Sequence, residues 1–150
     1  LYIGQAYQGG IIFWLDSTGQ HGLIAATSNQ STGAAWGCYG TVIYGADGTA
    51  VGTGNQNTID IENGCATSGT AADICANISL NGYTDWFLPS KDELNLLYLQ
   101  KTVVGGFASA YYWSSTEYDA SFAVGIAFNS GGTYTNLKGN ASYVRAVRAF

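Results

Sequence analysis

The spacing of apolar residues changes period twice along the chain. GGIIFWLD (9–16) and HGLIAAT (21–27) are apolar runs separated by the turn-forming STGQ, which predicts a β-hairpin. Residues 28–56 have no regular period, and SNQSTGAAWGCYG and GADGTAVGTGNQ read as one long loop. A loop of that length is either packed on its own side chains, here Trp36 and Tyr39, or functional. Helical spacing begins at NTIDIENGC (57–65), with Asn57 or Thr58 as N-cap. It resumes at TAADICANISL (70–80), where Ala71, Ile74, Cys75 and Ile78 fall on one face.

The clearest helix lies in DWFLPSKDELNLLYLQK (85–101). Pro89 breaks the preceding strand, and Ser90 with Glu93 makes an S-x-x-E capping box. Leu94, Leu97 and Tyr98 form its apolar stripe, and Lys101 with Gly105-Gly106 ends it. From residue 110 onward strands and turns are expected in AYYWSST, SFAVGIAF and GGTYTNL, with SYVRAVRAF as the closing strand. Helices in the middle and strands at both ends predict an α+β fold, in one domain over residues 1–150.

Composition narrows the surface. Charged residues make up only 10%, against roughly 25% in an ordinary soluble domain, and the chain holds 21 Gly. Solubility then rests on Asn, Ser, Thr and Gly, a surface common outside the cell. The net charge is −5, and all five cations (Lys91, Lys101, Lys138, Arg145 and Arg148) lie beyond residue 90. They form no cluster, which argues against nucleic acid as a partner. No apolar run reaches the length of a transmembrane helix, so no membrane insertion is expected. With neither a Met nor a signal peptide in view, the domain is expected to be the C-terminal part of a longer chain.

Candidate chemistry is sparse. His21 is the only histidine, and no nucleophile-elbow motif accompanies it. Asp60 and Glu62 point to different faces of their helix, whereas Asp92 and Glu93 suit a helix first turn. Glu117 is expected to pair inside the fold with Arg145 or Arg148. No Asp-x-Asp-x-Asp-Gly loop or zinc-ligand spacing occurs, and the Gly-rich stretch lacks the Lys of a phosphate loop. A non-catalytic protein with no metal and no cofactor is expected. Of three cysteines, Cys65 and Cys75 can close a short disulfide loop, leaving Cys38 free or paired elsewhere; reduced core thiols are the alternative.

One stretch has a distinct palette. Residues 118–142 combine Tyr118, Phe122, Phe128 and Tyr134 with Asn129, Asn136, Asn140 and several Ser, Gly and Thr. Rigid amphipathic aromatics among adaptable polar groups are the chemistry of an antibody combining site. Ordinary loops and edge strands on a low-charge surface are the plainer reading.

In GGIIFWLD, HGLIAAT, WGCYGT, GTGNQNT, GYTDWFLPSKDELNLLY, YYWSSTE and YVRAVRAF, taken in this order, the chain resembles the Lcl C-terminal domain family. This family is also called the Fibrobacter major paralogous domain. The resemblance implies a C-type-lectin-like fold and an extracellular ligand-binding module at the end of a bacterial surface protein, pilus-tip adhesin or phage fibre. A narrower resemblance is to the variable proteins of diversity-generating retroelements, in which adenine-directed mutagenesis rewrites Asn codons near the C-terminus. Where that family often has Ala-Trp-Tyr, this chain has Ala123-Val124-Gly125.

On this resemblance YWSST and YVRAVRAF are scaffold, with Trp113 a core aromatic and Glu117, Arg145 and Arg148 structural. Tyr118, Asp119, Phe122, Val124, Gly125, Asn129, Tyr134, Asn136, Leu137 and Asn140 form the display surface, and Ile126 and Phe128 belong to the core. The implied partner is a protein or glycan on a host or target cell. The rival readings are a fixed carbohydrate or glycosaminoglycan adhesin, and a structural cap of a pilus or fibre.

Overall fold

The computed structural model describes residues 1–150. Its elements are β1 (Ala6–Tyr7), β2 (Gly10–Leu15), β3 (Gly22–Ala25), β4 (Ser31–Ala35), α1 (Gly54–Gly64), α2 (Ala71–Asn77), α3 (Lys91–Leu99), α4 (Lys101–Val104), β5 (Tyr111–Glu117), β6 (Phe122–Ala127), β7 (Thr133–Leu137), β8 (Ala141–Val144) and β9 (Val147–Ala149). The expected N-terminal hairpin is β2–β3, antiparallel, with Ile12 opposite Ile24. The fold is α+β, consistent with a C-type-lectin-like architecture.

The chain builds two sheets, ordered β1-β2-β3-β9 and β4-β8-β5-β6-β7. The closing segment is therefore not one strand, as its apolar pattern suggests. β8 ends in the larger sheet at Val144 and β9 begins in the smaller sheet at Val147. Arg145 occupies the crossover, fully buried. Its guanidinium donates to the carbonyls of Ala26 (2.8 Å) and Gly106 (2.8 Å) and to Asn29 Oδ1 (2.9 Å), and stacks 3.9 Å from the Phe107 ring centre. Burial lowers its pKa to about 10, which leaves it charged at neutral pH. A cation held by carbonyls and a ring fixes the point where the chain changes sheet.

Arg148 serves the smaller sheet. It meets Asp85 through two bonds of 2.7 and 2.8 Å and lies over the Tyr83 ring. The hydrogen bonds from Arg148 hold the Asp85 carboxyl below its usual range.

The loop expected over 28–56 is interrupted by β4, which pairs antiparallel with β8. α1 starts at Gly54, earlier than its apolar pattern implies, and Thr53 caps it without a side-chain bond. α3 follows the sequence closely. Ser90 Oγ accepts the Glu93 amide, and Glu93 Oε1 accepts the Ser90 amide at 2.8 Å. Glu93 also accepts the Gly52 amide at 3.0 Å, so the capping box ties the long loop to α3. Leu94 and Leu97 are buried from the same helix, and α3 packs on β2, β5 and β6.

Two apolar clusters fill the interior. One gathers Ile12, Ile24, Trp36, Ile61, Trp86 and Trp113 between the sheets, α1 and α2. The other gathers Phe13, Leu94, Leu97, Tyr112, Ile126 and Phe128 beneath α3. Trp113 is wholly buried, and its indole N–H donates to Ala34 O at 2.8 Å, so its polar edge is satisfied. No helix is long and apolar enough to cross a membrane.

Candidate recognition surface

β5 ends at Glu117, and Lys138 directly follows β7. Both side chains are buried, and Lys138 Nζ lies 2.7 Å from Glu117 Oε2. Glu117 was expected to meet Arg145 or Arg148. Those arginines are committed at the sheet crossover and to Asp85, and the strand geometry delivers Lys138 instead. The same groups reach the long loop: Lys138 Nζ donates to Thr41 O at 2.9 Å, and Glu117 Oε2 accepts the Ile43 amide at 2.8 Å. Lys138 also lies 4.8 Å from the ring centre of buried Trp36. A buried ion pair is tolerable only when its remaining hydrogen-bonding capacity is met, and here the loop backbone meets it.

Further ties fasten the loop. Gly37 N–H donates to Lys138 O at 3.0 Å, and Gly40 N–H to Ala120 O at 2.8 Å. A disulfide joins Cys38 to Cys65, with Cα atoms 5.9 Å apart. This corrects the expected Cys65–Cys75 pairing. Cys65 leaves the end of α1 in extended conformation and faces the Gly37–Cys38 bend, whereas Cys75 sits on the inward face of α2, buried and free.

Loop segment 38–46 therefore has a fixed underside and a free outer face. Ile43 and Ala46 are buried, while Tyr39, Val42 and Tyr44 are exposed by 62%, 44% and 88%. Tyr118 and Leu137, next in sequence to Glu117 and Lys138, are exposed by 66% and 38%. Loop packing on Tyr39 was one sequence expectation; Trp36 alone turns inward. Three tyrosines and two aliphatics thus share one end of the molecule.

The display residues named from sequence separate into groups. Tyr118, Asp119, Asn136, Leu137 and Asn140 lie at the end of the β5–β6–β7 strands to which the loop is tied, with Asn136 and Leu137 on opposite faces of β7. The Asp119 carboxylate accepts the amides of Ser121 (2.8 Å) and Phe122 (2.9 Å), so it shapes the β5–β6 turn as well as facing outward. Asn140 donates to Asn136 Oδ1 at 2.8 Å. Asn129 is exposed at the other end of the β6–β7 hairpin, roughly 17–20 Å away for strands of this length. Phe122 is half-buried.

Val124 and Gly125 are corrections: both are buried and neither can display anything. β6 is paired on both edges by β5 and β7, α3 packs on one of its faces, and Tyr134 covers Gly125 on the other. Gly125 lies under Tyr134, where a Cβ would stand 2.5 Å from the phenol oxygen. Tyr134 is correspondingly half-buried against Tyr111, ring centres 4.6 Å apart. Burial raises its phenol pKa to about 12.

Sequence reasoning missed Tyr39, Val42 and Tyr44. The signal present was an aromatic and β-branched run, CYGTVIY, inside an otherwise Gly-rich loop.

The Lcl C-terminal domain family model matches residues 16–148. The chain belongs to the Lcl C-terminal domain family. That membership suggests a ligand-binding or adhesin-like domain. No curated protein matches the chain. Within this Lcl C-terminal domain the match takes in the whole larger sheet and, of the smaller one, β3 and most of β9, so the loop, the ion pair and Tyr118 all lie inside the matched residues.

Proposed function

We propose that this Lcl C-terminal domain is a non-catalytic, extracellular recognition module, an adhesin or receptor-binding tip for a protein or glycan on a host or target cell. The observation that carries the reading is that exposed Tyr39, Tyr44 and Tyr118, with Val42 and Leu137, lie on segments joined at one end of the larger sheet by Glu117–Lys138 and Cys38–Cys65. Rigid aromatic anchors lose little entropy on binding and dominate interface energetics.

Retroelement diversification fits the part of the surface built from 118–142. Tyr118, Asn136, Leu137 and Asn140 can vary there, because none of them belongs to either apolar cluster. The rival glycosaminoglycan adhesin needs free cations. Lys138, Arg145 and Arg148 are occupied internally, and Lys101 donates to Phe128 O at 2.9 Å. Only Lys91 lacks a side-chain partner, too little for a sulfated polymer.

The test is genomic sequence at the 3′ end of the gene. A downstream near-copy differing mainly at its adenines, with differences falling at exposed positions of 118–142, supports diversification. Absence of such a copy leaves a fixed recognition surface.

A further inference from the structure

We propose that the partner of this surface is a protein that presents Lys and Arg side chains to it; the inference rests on the recognition reading above. Shape argues first. None of the cavities in the molecule is lined by Tyr39, Val42, Tyr44, Tyr118 or Leu137. Small ligands and single sugars are held in concave sites, whereas protein partners are met on broad, nearly flat ones. These five side chains line no concave site of the first kind.

Charge decides the chemistry of that protein. Asp119 lies in the β5–β6 turn, next to Tyr118. Asp47 follows Ala46, whose carbonyl accepts the Glu117 amide at 2.7 Å, so it borders the same strand end. Asp60 lies directly against Gly45, beside Tyr44. Farther out, the start of α3 contributes Lys91 and Asp92, joined to this region through Thr116 and Thr49. One available cation thus faces four carboxylates, because Lys138 is neutralised by Glu117. Exposed tyrosine faces attract ammonium and guanidinium groups, and a carboxylate rim steers them inward. An acidic or sulfated partner would meet net repulsion from these carboxylates.

The test uses an array of peptides centred on Lys and Arg, each with twins in which Gln or Glu replaces the cations, alongside heparin and neutral glycan arrays. The probe protein is the intact domain with its disulfide formed. Retention of the Lys/Arg peptides over both sets of twins is expected, weakening as salt rises. Tyr44→Ala should weaken that retention about tenfold, the loss of one aromatic anchor. Asp47→Asn should weaken it less and flatten the salt dependence.

Tyr44-dependent binding to neutral glycans, or to Gln twins as well as to their cationic parents, overturns the cationic partner but leaves the surface standing. Retention unchanged by Tyr39→Ala, Tyr44→Ala and Tyr118→Ala together overturns the surface itself. Failure to retain any Lys/Arg peptide overturns this inference.

Discussion

Lys138 Nζ and Glu117 Oε2 meet at 2.7 Å in the interior, beneath the loop that carries three of the exposed apolar side chains. Removing one partner strands the other. Lys138→Met should cost about 3–5 kcal/mol, because the Glu117 carboxylate loses its counter-charge while buried. The double variant Glu117→Leu with Lys138→Met should recover much of that loss. Denaturant unfolding of the two variants checks it, and equal destabilisation would argue against a buried pair.

The Cys38–Cys65 disulfide closes a sequence separation of 27 residues. Opening a loop of that size should lower stability by roughly 3–4 kcal/mol on the chain-entropy account. Under native conditions an alkylating reagent should leave all three cysteines unmodified, because Cys75 is buried and its thiol pKa is pushed upward by that burial. Peptide mapping that recovers Cys65 linked to Cys75 would contradict the assignment.

Gly125 separates framework from surface. Gly125→Ala should destabilise by about 1–3 kcal/mol through overpacking against the Tyr134 ring and the Tyr112 carbonyl. Tyr118→Ala and Tyr44→Ala should change the melting temperature little, since both side chains are mostly exposed. A reversed order would move Gly125 back among the variable positions.

Glu62 carries a pH signature. Burial, then the neighbouring Asp73, raises its pKa from the ordinary 4.5 to about 7. The folded protein therefore keeps the proton at pH values where the unfolded chain has lost it. Its favourable contribution is complete below about 4.5 and disappears as the pH rises through about 7. The residue is partly solvated, so screening holds the effect to on the order of 1 kcal/mol. Melting curves across that window should show the decline, and Glu62→Gln should flatten it.

Local signals carried much of the fold. The Ser90–Glu93 capping box, the β2–β3 hairpin and the strands of 111–137 are legible because each depends on residues a few positions apart. The change of sheet at Arg145 is not legible. YVRAVRAF has unbroken strand propensity, and only distant carbonyls at Ala26 and Gly106 reveal why the chain turns there. The same limit separates the two halves of the surface. Tyr118 and Leu137 stand in a stretch of recognisable composition, whereas Tyr39 and Tyr44 reach them through a disulfide and an ion pair spanning long sequence distances. Val124 and Gly125 were misplaced for a related reason. Which strand becomes central is a property of the whole sheet, and β6 gains neighbours on both sides only after β7 folds back.

A second exposed apolar group, Tyr2, Leu99 and Val103, provides the control for the most direct measurement. Alanine variants at Tyr39, Tyr44 and Tyr118 and at Tyr2, Leu99 and Val103 would be compared for retention on the Lys/Arg peptide array, with melting temperatures recorded for each. Loss confined to the first three, at unchanged melting temperature, is the expected result. Loss confined to the second three, or retention indifferent to both sets, would contradict the assignment of recognition to the loop held by Glu117 and Lys138.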